Sequence, residues 1–135
     1  MKALDTNVIV RLLVRDDERQ AQRARRLLVH AEESDQTLLV TDVVVLELLW
    51  VLQSAYSLPR AEALDALELL ADLPVITLQS HDVVRQLVQS GRSGRFGRAD
   101  LADLFIGLAG RQSGCESTLT FDRKLSRTEL FSCVP

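Results

Sequence analysis

Leu38–Gln53 reads LLVTDVVVLELLWVLQ, and the fold follows from the junction inside it. Leu38–Thr41 is short and aliphatic, the pattern of a strand buried in a parallel sheet. From Asp42 to Gln53 the pattern is a helix, apolar almost all round, which predicts deep burial. Glu47 is the only charge between Val43 and Leu52. An ionised carboxylate in apolar surroundings costs several kcal/mol unless something positive meets it. On a helix its neighbours at three and four positions are Val43, Val44, Trp50 and Val51, none of them cationic.

Outward from this stretch, strand-like runs recur at Lys2–Asp5, Val75–Leu78, Ser117–Phe121 and Phe131–Val134, with helical patterns between them. Asp16–Glu32 carries Ala21, Ala24, Leu27, Leu28 and Ala31 at helical spacing and Arg19, Arg23 and Arg26 on the other side. Arg60–Asp72 repeats the scheme with an acidic outer face, and Ser80 is expected to cap a helix running through Val88. Strands alternating with helices imply crossover connections and a parallel sheet covered on both faces. The expected fold class is therefore α/β, a three-layer α/β/α sandwich with a central parallel sheet of about four or five strands. A chain of 135 residues is expected to form a single domain, 1–135.

With 47% hydrophobic and 26% charged residues, the composition is that of a globular rather than a disordered or fibrous protein. No apolar run reaches the roughly 18 residues of a membrane span, and the N-terminus starts with a strand-like KALD, so a cytoplasmic protein without a membrane partner is expected. Cys115 and Cys133 lack metal-type spacing and are expected to be small buried hydrophobes. A formal net charge of -3 argues against coating nucleic acid by bulk electrostatics. It leaves open a protein that meets phosphate through metal ions.

Three more acids interrupt apolar sequence. Asp5 closes Ala3-Leu4, Asp103 breaks LADLFIGLA, and Asp122 ends TLTFD. In open α/β sheets ligands collect beyond the carboxyl ends of the strands, where Asp5 and Asp122 are expected. Two carboxylates about 4 Å apart repel by roughly 4 kcal/mol at an effective dielectric of about 20, a conflict that a divalent cation resolves. Donors that are all oxygen suit Mg²⁺, with Mn²⁺ as a substitute, and disfavour zinc. Such an ion polarises a phosphodiester oxygen and activates water, so the implied reaction is metal-dependent phosphodiester hydrolysis.

Four blocks, LDTNVIVR from Leu4, VTDVVVLELLWVL from Val40, RADLADLFIGLA from Arg98 and TFDRKL from Thr120, resemble the signature blocks of PIN-domain ribonucleases, and most closely VapC-type toxins of bacterial toxin–antitoxin pairs. The likeness covers nearly the whole chain, in order. It implies that Asp5, Glu47, Asp103 and Asp122 form the acidic catalytic site, with Asp5 and Asp103 as direct metal ligands and Glu47 and Asp122 completing the shell. It implies supporting roles for Thr6, Asn7 and Thr120, a Mg²⁺-dependent endoribonuclease, a homodimer, and silencing by a cognate VapB-like antitoxin. Asp100 shares a helical face with Asp103 and ranks second, as an outer ligand or a helix N-cap.

Simpler roles compete at several positions. Asp5 also suits a turn, and Asp122 an Asx-type cap before RKL. Arg92, Arg95 and Arg98, in the loop SGRSGRFGR, are candidates for RNA phosphates or merely solvated charges, and Arg11 suits a phosphate or an acidic neighbour equally. His30 and His81 read as surface residues, and Trp50 as core or dimer packing. Phe96 and Phe105 lack the pattern of base-stacking platforms. A housekeeping RNA-processing PIN nuclease and a non-catalytic PIN binding module remain alternatives. A receiver-type or phosphoryl-transfer domain is less favoured, since Asp5 has no acidic neighbour.

Overall fold

The architecture was described from a computed structural model covering Met1–Pro135. The first unit, Met1–His81, begins with β1 (Lys2–Ala3), α1 (Thr6–Leu13), α2 (Glu18–Glu33) and β2 (Leu38–Val40). It continues with α3 (Asp42–Trp50), a π-helical turn (Val51–Ala55), α4 (Arg60–Asp72) and β3 (Ile76–Leu78). The strands pair in parallel in the order β1-β2-β3, with Lys2 opposite Leu38 and Leu39 opposite Thr77. The second unit, Asp82–Pro135, holds most of α5 (His81–Ser93), then α6 (Leu101–Gln112), β4 (Thr118–Thr120), a 3₁₀ turn (Leu125–Arg127) and β5 (Phe131–Cys133). Here β4 and β5 pair in parallel, Leu119 opposite Ser132. The α/β class with parallel strands thus stands. The expected sheet of four or five strands is hydrogen-bonded as three strands in one unit and two in the other.

Local chemistry starts the helices. Asp17 Oδ1 accepts from the Gln20 amide at 3.1 Å at the start of α2, and Thr41 Oγ1 from Val44 at the start of α3, so amides without a helical partner are satisfied. The inner face of α2 buries Ala21, Ala24 and Ala31. Val45, Leu48, Leu49 and Leu52 are fully enclosed. In the second unit α6 lies very close to the β5 segment because Gly107 has no side chain. A Cβ there would stand 2.8 Å from the Phe131 ring and 2.9 Å from Leu130 Cβ.

Four local expectations change. The α3 helix is not enclosed all round: Val43 and Trp50 are 75% and 64% exposed, and Glu47 is exposed between them. A helix that is apolar on every side has no phase in its sequence from which to read its outward face. Its expected extension to Gln53 is a π turn, in which the Tyr56 amide donates to Val51 O at 3.2 Å. The helix after Ser80 runs to Ser93, taking in the first residues of the loop, and the Ser80 hydroxyl donates to Asp42 Oδ2 at 2.7 Å. Cys115 and Cys133 are both exposed, one in the turn after α6 and the other closing the last strand. No helix is long and apolar enough to cross a membrane.

Candidate functional site

Within the first unit, chain direction places Asp5 directly between β1 and α1. Its Oδ1 accepts from the Thr6 amide at 2.8 Å as the α1 N-cap, and its second oxygen has no protein partner. Asp5 is exposed, while Thr6 is only 4% exposed and its hydroxyl is a buried oxygen without a partner. Asn7 is exposed on the first turn of α1. Glu47 projects from the open face of α3 without a hydrogen bond or ion pair. The premise that Glu47 sits buried in apolar surroundings is therefore wrong, and the same holds for Asp5 and Asp122, both exposed.

Arg11 is taken up structurally. Its guanidinium donates to Asp16 Oδ1 at 2.7 Å and to Gln20 Oε1 at 2.6 Å, and the Tyr56 hydroxyl donates to Asp16 Oδ2 at 2.8 Å. The hydrogen bond with Tyr56 and the opposite charge beside it hold the Asp16 carboxyl below its ordinary pKa, and the same network raises that of Arg11. Of the two roles open to Arg11, the structure supplies the acidic neighbour.

The second unit gathers three acids. Asp100 caps α6, its Oδ1 accepting from the Ala102 amide at 2.8 Å. Asp103 lies in the first turn of that helix, half-buried. Asp122 follows β4, and its Oδ1 accepts from the Lys124 and Leu125 amides at 2.9 and 3.0 Å. This is the Asx-type cap foreseen for TFDRKL. Thr120 supports it from the strand, its Oγ1 accepting from the Asp122 amide at 3.0 Å. Asp100 and Asp122 each keep one carboxylate oxygen outside these caps, and Asp103 keeps both.

Burial, then the like charges of Asp100 and Asp122, push the Asp103 carboxyl above its ordinary pKa. Beyond burial, the shift marks Asp100 and Asp122 as carboxylates close enough to Asp103 to repel it. A hard divalent cation fits that need and this all-oxygen donor set. No group of three His, Cys, Asp or Glu side chains in either unit is already closed into ligand geometry.

Asp100, Asp103 and Asp122 line one cavity of about 460 Å³. Its basic lining is Arg95, Arg98, Lys124 and Arg127. Arg95 is engaged, 3.5 Å from Glu129 and 5.0 Å over the buried Phe96 ring, and Arg111 joins both partners at 3.2 and 5.6 Å. These contacts clamp the turn whose Gly94 and Gly97 take positive φ. Arg98, Lys124 and Arg127 are exposed and make no ion pair. Arg92 lies in the last turn of α5 and is not part of the cavity wall.

Lys124 and Arg127 lie outside the glycine-rich loop SGRSGRFGR, the stretch whose spacing singles out cations in the sequence. Their signal was present in TFDRKLSR, two and five positions after the acid. His30 and His81 are exposed, as expected. Phe96 and Phe105 are core residues, 4% and 2% exposed. Trp50 is not core.

The profile of the PIN domain family matches residues 2–130. No curated protein matches the chain.

Proposed function

Because the chain belongs to the PIN-domain family, whose members are as a class metal-dependent nucleases acting on RNA, we propose that it is a Mg²⁺-dependent endoribonuclease and the toxin of a type II toxin–antitoxin module. The observation that carries the nuclease reading is the cavity that gathers Asp100, Asp122 and the half-buried Asp103 with uncommitted cations, where burial first and then the two like charges raise the proton affinity of Asp103. Likeness to VapC-type toxins in all four sequence blocks supports the finer reading. We assign the acidic machinery to Asp5, Glu47, Asp103 and Asp122. Asp5 and Asp103 are the direct metal ligands, and Glu47, Asp122 and, second in rank, Asp100 contribute outer oxygens.

A bound divalent ion supplies an activated water and charge neutralisation at phosphorus. The chain's own part is positioning. Asp122 is held by two backbone amides and Thr120 beneath it, so its free oxygen points from a fixed turn rather than a flexible stem. Asp5 is held by the first amide of α1, that of Thr6, and the likeness to the family supports a bracing role for Thr6 and Asn7. Arg98, Lys124 and Arg127 bind phosphate oxygens of the RNA, which fixes the register of the strand without reading its sequence. Arg95 ranks behind them, because its guanidinium already lies 3.5 Å from Glu129 and over the Phe96 ring.

The toxin reading carries further proposals: a homodimer, a cytoplasmic location, and a VapB-like antitoxin that blocks the acidic groove. Purified protein incubated with total RNA and Mg²⁺ is expected to cleave it to products bearing 5′-phosphates, with Mn²⁺ as an effective substitute and EDTA abolishing the reaction. Cleavage that persists in EDTA, or its absence with either metal, would overturn the nuclease reading. Expression without an antitoxin is expected to arrest growth, and Asp103→Asn to relieve the arrest. Normal growth despite active nuclease in extracts would leave a housekeeping RNA-processing enzyme.

A further inference from the structure

The strongest uncompensated positive face in the first unit lies on α2. Arg19, Arg23 and Arg26 succeed one another at four and three positions, so they form a single stripe. All three are exposed and none makes an ion pair, whereas their neighbour Arg25 is held by Glu18 at 2.9 Å. No acidic residue stands between Glu18 and Glu32. The opposite face of the helix is fastened into the core through Ala21, Ala24 and Ala31, so the arginines are directed outward by packing. In a chain of net charge -3, this concentration of one sign calls for an anionic partner.

A groove of about 550 Å³ between α1 and α2 connects that stripe to the motif at the start of α1. Asn7 lines it at one side, two residues from Asp5, and Arg23 and Leu27 line it at the other. Arg11 also lines the groove but is neutralised by Asp16 at 2.7 Å. Arg23 is therefore the groove's uncommitted cation.

We propose that the groove and the Arg19, Arg23 and Arg26 stripe form a track for the phosphate backbone of RNA flanking the cleavage point. This rests on the nuclease reading above and extends it to the length of RNA engaged. The three guanidinium stems rise along about 10 Å of helix axis, a line of positive charge facing a line of repeated phosphates. The groove's approach to Asp5, which acts at the phosphodiester, favours nucleic acid over an acidic peptide as the occupant. Contacts of this kind strengthen binding to any sequence and leave base choice to other residues.

The test measures affinity of the full chain, in EDTA so that nothing is cut, for a labelled single-stranded RNA of about 20 nucleotides across a salt series. Replacing Arg19, Arg23 and Arg26 together by Ala removes three phosphate contacts, so the slope of log affinity against log salt becomes shallower by about 2. Between about 50 and 200 mM salt the variant then loses about 20-fold less affinity than the wild type. The triple Lys variant keeps the charge and the slope, and a tetranucleotide, too short to reach the stripe, shows no difference between variants.

Equal slopes for wild type and the Ala variant, with Mg²⁺-dependent cleavage intact, overturn the track and leave the nuclease reading standing. A wild type that neither binds nor cleaves RNA overturns both. If the Ala variant loses polyglutamate binding but not RNA binding, the stripe belongs to an acidic protein partner and the track is again overturned.

Discussion

In the first unit Asp5 and Glu47 stand exposed, one committed to a helix cap and the other on an open helix face. In the second, Asp103 is half-buried and shares a cavity with Asp100 and Asp122. The same residue type therefore meets two electrostatic situations. Exposed acids are solvated and screened, and their charge costs little. Acids crowded against each other in a walled space hold protons more tightly and gain most from a cation. The comparison teaches that metal affinity in this chain is to be sought first at Asp103, although Glu47 is the more conspicuous residue in the sequence.

The harshest test of that ranking is removal of charge. Asp103→Asn is expected to lower RNA cleavage by at least about 100-fold, the loss of several kcal/mol of charge stabilisation, while Glu47→Gln costs about tenfold as an outer oxygen. Rates with total RNA, and circular dichroism to verify folding, check both. Equal losses would break the ranking. A second way to break it is to displace the helix that carries Asp103. Gly107→Ala drives a methyl into Phe131 and Leu130, so unfolding in urea should show a loss of about 1–3 kcal/mol.

The cavity's cations sharpen the comparison on a smaller scale. Lys124→Ala or Arg127→Ala is expected to raise KM about tenfold and leave kcat nearly unchanged, as for a contact made equally in the ground and transition states. Steady-state kinetics on a defined RNA separate the two constants. Arg95→Ala instead loosens the Glu129–Phe96 clamp and reads out mainly in thermal stability.

The smallest effect concerns protons. The folded state holds the Asp103 proton more tightly than the unfolded chain does, because burial and two like charges raise the pKa above its ordinary 3.8. Metal-free protein therefore gains stability from this group as pH falls through the raised pKa, and the gain is complete below the ordinary value. Asp103→Asn should abolish that dependence and leave the metal-free protein somewhat more stable than the wild type at neutral pH, a small effect because the group is only half-buried. Urea melts in EDTA at acid and neutral pH decide it.

Much of this was legible in the residues. All five strands and the alternation of strand with helix were marked by short aliphatic runs, and Asp100 and Asp122 announced their caps through position alone. The likeness of four blocks to PIN-domain nucleases agrees with the family match over residues 2–130. What escaped depends on tertiary phase. The α3 sequence is apolar at nearly every position, so nothing in it states that Val43, Glu47 and Trp50 face outward. Arg95 and Arg98 look alike in SGRSGRFGR, and only the placement of Glu129 and Phe96 separates the engaged arginine from the uncommitted one. Cys115 and Cys133 followed a general habit of burial that a surface turn and a terminal strand do not obey.

Trp50 is the chain's only tryptophan and lies one helical turn beyond Glu47 on the same open face of α3. Its indole is thus a native fluorescent probe for that side of the helix, red-emitting while wet and shifting blue whenever something dries it. Paramagnetic Mn²⁺ captured by Glu47 would dim it, so occupancy can be followed optically without attaching a label.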